Sequence, residues 1–334
     1  MPGEFDLIAR YFTRPVKHAL LGVGDDCALF GCTPGHDWAV TTDMLLAGRH
    51  FSPGDGPGTL GHKAMAVNLS DLAAMGATPR YALLAIALPA ADEKFLKGFA
   101  GGFFGLAQKY GVEVIGGDTT RGGLLTLSVT ALGEIPQGRA LRRDGAKAGD
   151  DIWVSGTLGD AALALAHHQG GLQLTTEEAA ACFPRLYVPT PRIELGIALR
   201  GIATSCIDVS DGFAADLGHI LERSGVAAEV AFEDLPLSPA ARAHVHEPAA
   251  VDCVLAGGDD YELVFTAKPE QRERLAQISA ALPLRLSRVG RIVEGGVLTI
   301  LRQGEPMRLA RAGFDHFGPS SAAQPLAGEA GRDE

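Results

Sequence analysis

Aromatic residues are scarce in this chain, at 6% of 334 residues, and its five cysteines never fall in CxxC spacing. That thin, odd-numbered cysteine set (Cys27, Cys32, Cys182, Cys206, Cys253) indicates neither a disulfide framework nor a zinc site, and it fits a reducing cytoplasm. No stretch approaches the roughly 20 apolar residues of a membrane span, and the acidic opening MPGEFDL is no export leader. Basic blocks are absent too. With 29 Lys and Arg against 40 Asp and Glu the net charge is -11, which excludes the basic footprint of a nucleic-acid or anionic-membrane partner.

Nucleotide loops of the common kinds also fail. Gly22 and Gly24 suggest a dinucleotide fingerprint, but Cys27 occupies the third glycine position and no helix is expected to follow. Gly56 and Gly61 have phosphate-loop separation, yet His62 stands where the lysine belongs and Lys63 where Ser or Thr does. There is no HExxH and no GxSxG.

What the chain has in excess is glycine, 43 residues, with aspartates beside it. Apolar runs at 38–43, 81–88, 112–115, 124–133 and 152–155 read as strands, as does 251–255. Helices are expected over 66–76, 92–110, 160–168, 176–187, 192–201, 213–224 and 269–282. Alternating elements predict an α/β (α+β) protein of two domains, divided in the turn-rich connector near 137/138, with 319–334 as a disordered tail. The halves echo each other weakly: Asn68-Leu-Ser-Asp71 resembles Asp208-Val-Ser-Asp211, and Gly-Gly-Asp follows an apolar run at 116–118 and again at 257–259. Duplication and chance both remain open readings.

In AVNLSDLAAMG (66–76), Asn68 and Asp71 lie one turn apart on a small, apolar helix. Alone, Asp71 reads as a paired structural acid ahead of a metal ligand. It has company, however, in Asp25, Asp26, Asp43, Asp118, Asp208, Asp211, Asp259 and Asp260, beside Thr41, Thr42, Thr119, Thr120 and Ser210. Each is an ordinary turn former; together, at the ends of apolar strands, they form an oxygen-only donor set suited to Mg²⁺ and phosphate. Arg121, Arg142 and Arg143 read either as phosphate clamps or as solvated loop charges.

The motifs GVGDDCAL (22–29), TTDM (41–44), AGRHF (47–51), AVNLSDLAAMG, IGGDTTRG (115–122), IDVSDG (207–212) and AGGDDYEL (256–263) together resemble the thiamine-monophosphate kinase family, in order and spacing from Glu4 through Phe317. The family belongs with the aminoimidazole-ribonucleotide synthetase and selenophosphate synthetase group. The resemblance implies an N-terminal β-rich domain that pairs across a homodimer (1–137) and a C-terminal α/β sandwich domain (138–318). It implies ATP-dependent, Mg²⁺-assisted phosphorylation of thiamine monophosphate to thiamine diphosphate by direct in-line transfer, with no catalytic side chain beyond positioning; K⁺ is a candidate monovalent cofactor. Carried over by position, Asp26, Thr41, Thr42, Asp43, Asp71, Asp118, Asp208 and Asp211 would hold metal. Gly117, Asp118, Arg143 and Ser210 would touch ATP, and His50, Asp259 and Phe314 the acceptor. Two positions depart from the family pattern: Asp259 replaces the usual Glu, and Phe314 a larger or hydroxylated aromatic. The alternatives are a ribonucleotide-synthetase-like enzyme or a non-catalytic metal or nucleotide binder. The relatives that need a reactive cysteine near either end do not fit, since Met1 to Leu20 has none and the chain ends GRDE.

Overall fold

The computed structural model describes residues 4–23, 27–307 and 313. The expectations for Asp25, Asp26, Phe314 and the tail from 319 lie outside the described residues. A first turn, α1 (Glu4–Leu7), continues as a π-helical turn over Ile8–Phe12. The stretch after Ala19 is held by an isolated bridge between Leu21 and Leu29 rather than by a full strand.

The N-terminal sheet is built from β1 (His36–Leu46), β2 (Thr78–Leu88), β3 (Glu113–Arg121) and β4 (Thr126–Pro136), with helices α2 (Pro57–Ala74) and α3 (Glu93–Lys109) between them. Its strand order is β1-β4-β2-β3, antiparallel except for β2 and β3. That parallel pair is joined by α3 as a crossover, whose N-cap Asp92 accepts from Lys94 and Phe95 N–H.

Helix α2 starts earlier than expected, with Gly56 as N-cap and Pro57 in the first turn. From Leu60 to Ala74 only His62 and Asp71 escape full burial. A helix buried all round must be covered on all sides. One side rests on the N-terminal sheet, a second on α3, and a third faces the C-terminal half. The crossing with α3 depends on glycine: a Cβ on Gly102 would lie 1.8 Å from Gly58 O, and one on Gly61 would lie 2.1 Å from Phe99 O. Because backbone cannot yield as a side chain does, Gly102→Ala is expected to cost about 3 kcal/mol or more. A denaturant titration checks this; a midpoint equal to the unsubstituted protein's would contradict the close crossing.

The second half contains β5 (Asp151–Ser155), α4 (Asp160–His168), α5 (Thr176–Tyr187), α6 (Ile193–Ala198), β6 (Ala203–Asp208), α7 (Phe213–Ser224) and β7 (Ala227–Ala231). It continues with α8 (Pro239–His244), α9 (Pro248–Ala256), β8 (Leu263–Ala267), α10 (Arg272–Ala281), β9 (Leu286–Val293), β10 (Leu298–Arg302) and β11 (Glu305–Pro306). Its seven strands lie in the order β11-β10-β7-β9-β5-β8-β6. Alternation along these strands feeds two cores. Cys206 and Phe265 join the core that contains α2 and α3, while Ile207 and Val264 join one built on α4, α5, α7 and α9.

Two expected elements change type. Residues 251–255 lie in helix α9, not a strand: a five-residue apolar run carries no period, and Pro248 in the first turn sets a helix start. Residues 116–121, placed beyond the end of the strand expected over 112–115, continue β3, because Gly117 at φ +153° lets its backbone approach Leu84 O where a Cβ would sit 1.9 Å away. The two Gly-Gly-Asp segments therefore differ, one inside a strand and the other after a helix, and the local echo has no structural counterpart.

Candidate active site

Three elements bring acids together where the two halves meet. Asp71 projects from α2, Asp43 from β1, and Asp208 and Asp211 stand at the end of β6 and in the turn before α7. The Thr41 hydroxyl donates to Asp71 Oδ2, and Asn68 Oδ1 accepts from Asp43 N–H at 3.1 Å. Ser70 Oγ donates to Asp208 Oδ2 at 2.7 Å across the two halves. Asp216, in the first turn of α7, fixes the adjoining corner: its Oδ2 accepts from the N–H groups of Ser210 at 3.0 Å and of Asp211 and Gly212 at 3.1 Å.

These acids destabilise one another as charges. Burial, then the charges of Asp71 and Asp211, push the Asp43 carboxyl up to about 7. Burial likewise raises Asp71, against the Thr41 hydrogen bond and the charge of Arg143, which favour the anion. Asp208 is raised well above the carboxylate range by burial first and by Asp71 second. A cluster of carboxylates so poorly solvated calls for cations.

The donors present, carboxylate and hydroxyl oxygen, fit a hard divalent ion such as Mg²⁺. Among the described residues, no three His, Cys, Asp or Glu side chains form a group that could hold an ion by themselves. Mg²⁺ usually takes one or two carboxylates and completes its octahedron with water and phosphate oxygens.

The sheet register divides the expected ligand set. Thr41 and Asp43 share the helix-facing side of β1 with Leu45, while Thr42 points to the other side and meets Thr130 Oγ1 at 2.8 Å. Asp118 stands opposite Ala85, Ala85 opposite Ser128, and Ser128 opposite Met44, a row on that same outer side. Three strand spacings, about 14 Å, separate β3 from β1. Within one chain, then, Asp43, Asp71, Asp208 and Asp211 converge with Thr41, whereas Thr42, Gly117 and Asp118 do not join them.

Arg143 and Asp71 line a cavity of about 200 Å³ together with Thr41, Leu72, Met75 and Cys206. Arg142 instead forms an exposed pair with Asp144, and Arg121 lies exposed on β3. His50 Nδ1 accepts from Leu46 N–H at 3.0 Å in the turn after β1.

The acids of AGGDDYEL are each held separately. Asp259 Oδ2 accepts from Lys63 Nζ at 3.0 Å and Oδ1 from Tyr261 OH at 2.9 Å. Asp260 accepts from Gly159 N–H, and Glu262 is bound by Arg185, Arg192 and Ser155. The roles of Lys63, Asp216 and Glu262 were not read from the sequence. For Asp216 a signal existed, an acid in the first turn of a helix that follows a Gly corner.

The chain matches two family models, "AIR synthase related protein, N-terminal domain" over residues 24–135 and "AIR synthase related protein, C-terminal domain" over residues 147–302. It is thus a two-domain protein of the AIR synthase related class. Thiamine-monophosphate kinase of Salmonella typhimurium is 46% identical over 94% of this chain and 98% of its own length. That of Bacillus subtilis is 34% identical over 94% and 99%. The crystal structure of thiamine-monophosphate kinase from Stenotrophomonas maltophilia K279a superimposes with TM-score 0.81 at 48% identity, covering 90% of this chain and 95% of that one. AaThiL complexed with AMPPCP and TMP superimposes with TM-score 0.75 at 32% identity, covering 85% and 89%. The chain belongs to the thiamine-monophosphate kinase family.

Proposed function

We propose that this protein transfers the γ-phosphoryl group of ATP to the phosphate of thiamine monophosphate, giving ADP and thiamine diphosphate. The observation that carries the reading is the convergence of Asp43, Asp71, Asp208 and Asp211 at the meeting of the two halves, in a chain whose relatives are named for this activity. A solved relative is complexed with AMPPCP and TMP.

Those four acids, with Thr41, would hold Mg²⁺, which when bound neutralises phosphate oxygen charge and aligns donor with acceptor. The acceptor phosphate, with a second pKa of about 6, is mostly deprotonated at neutral pH and needs no general base. That matches a site of acids, glycines and one arginine without an activated nucleophile. Ser70 and Asn68 fix the strands that carry Asp208 and Asp43, and Arg143 stands beside Asp71 as a donor for a phosphate oxygen. His50 and Asp259 are assigned to the acceptor, Ser210 to ATP.

Thr42, Gly117 and Asp118 are assigned to nucleotide and metal through a second copy of the chain. The outer side of the N-terminal sheet supports this: Val40 and Met44 are 61% and 55% exposed there, beside Thr42 and in the row of Asp118. Exposed thiols at Cys27 and Cys32 fit a reducing, cytoplasmic setting.

Purified protein incubated with ATP, Mg²⁺ and thiamine monophosphate is expected to form thiamine diphosphate, resolved by chromatography. Absence of that product, or equal phosphorylation of free thiamine, would refute the assignment.

A further inference from the structure

Lys63 is an unusual place for a charge. Its side chain is 6% exposed on α2, and its Nζ reaches Asp259 Oδ2, 3.0 Å away in the other half of the protein. Two turns further along α2, Ser70 takes hold of Asp208. The helix therefore grips two acids of the C-terminal half, one in the acidic cluster and one in the AGGDDYEL loop.

That loop is strained. Asp259 and Tyr261 have φ of 69° and 49°, the left-handed region that non-glycine residues avoid and keep only where their surroundings enforce it. The enforcing contacts are Asp259 N–H to Ser210 O at 3.0 Å, Tyr261 N–H to Val209 O at 2.8 Å, and Tyr261 OH to Asp259 Oδ1 at 2.9 Å. Each Asp259 oxygen has one donor and keeps a further lone pair. The Asp259 side chain is still 29% exposed, so the carboxylate retains an open edge.

We infer that Lys63 is a positioning residue for the acceptor: its ammonium, with the Tyr261 hydroxyl, fixes the Asp259 carboxylate at the angle from which it meets the amino donor and positive charge of the acceptor. The inference rests on the proposed activity and on Asp259 as an acceptor contact. Without the ammonium, the loop keeps its backbone hydrogen bonds but the Asp259 carboxylate, held at one oxygen, turns and the acceptor loses its partner. The nucleotide end of the site, at Arg143 and Asp71, is left in place.

The test is steady-state kinetics with each substrate varied in turn for Lys63→Met, Lys63→Arg, Asp259→Asn and the Lys63→Met/Asp259→Asn double variant. Lys63→Met is expected to raise KM for thiamine monophosphate about 10-fold, the scale of one lost charge-assisted contact, with KM for ATP and kcat within about 3-fold. Asp259→Asn should match it, the double variant should be no worse than the poorer single, and Lys63→Arg should recover most of the loss. An unchanged KM for the acceptor, an equal rise for ATP, multiplying effects, or Lys63→Arg as poor as Lys63→Met would each overturn the role. If Lys63→Met does not fold, Tyr261→Phe frees the other oxygen and should raise the same KM about 3-fold; no change there overturns the proposal equally. Failure of the unsubstituted protein to make thiamine diphosphate would instead sink the proposed activity.

Discussion

Asp71→Asn is expected to lower turnover by at least about 100-fold, close to 3 kcal/mol of transition-state stabilisation, while the melting temperature stays the same or rises. The asymmetry follows from the site. Asp71 is raised by burial and repels Asp208 and Asp43, so as a lone charge it costs folding energy. Asparagine keeps its size and can still accept the Thr41 hydroxyl. What it removes is the negative charge that a divalent ion on phosphate oxygens requires. Turnover measured beside a thermal melt decides the matter: a large drop in melting temperature with turnover intact would make Asp71 a structural acid.

Glu262→Gln should do the reverse, with stability as the primary loss. Glu262 is fully buried; Arg192 Nε at 2.7 Å and Ser155 Oγ at 2.6 Å donate to its Oε2, and Arg185 and Arg192 both donate to Oε1. Behind it, a Cβ on Gly156, at φ +60°, would lie 2.1 Å from Oε1, so the pocket has no slack. Glutamine presents an amide NH₂ to guanidinium donors and takes from two mostly buried cations, Arg185 and Arg192, the carboxylate they share. Removing one partner from such a group costs about 3–5 kcal/mol, which for a chain of this size lowers the melting temperature by on the order of 10 °C. Calorimetry reads it, and a shift below about 2 °C would show that solvent screens the arginines after all.

Much of the fold was legible because local signals agreed. Helices α4, α5 and α7 have the bounds expected of them; α5 carries the capping box of Thr175 and Glu178, and α7 ends at Gly225 in the left-handed conformation. The misread 251–255 run failed for the opposite reason, since five apolar residues fit a strand or one side of a helix. The acids that converge were nameable from residue type and motif. Which of them share a side of the sheet was not, because a register shift of one residue exchanges the sides, and register is set by pairing with distant strands. Lys63 was hidden for a similar reason: its partner lies 196 positions away, and a lysine before an apolar helix stretch announces nothing.

Helix α2 also bears on how the chain is born. Its buried surface is completed by α6 and β6, which leave the ribosome more than a hundred residues after Ala74. At roughly 5–20 residues per second, that leaves a nascent chain with an uncovered apolar helix for on the order of 6–25 s. The side carrying Lys63 and Ser70 then waits without its acids. These polar groups, set into an otherwise greasy surface, keep it from being uniformly adhesive during that interval, and select the late-arriving half as its proper cover.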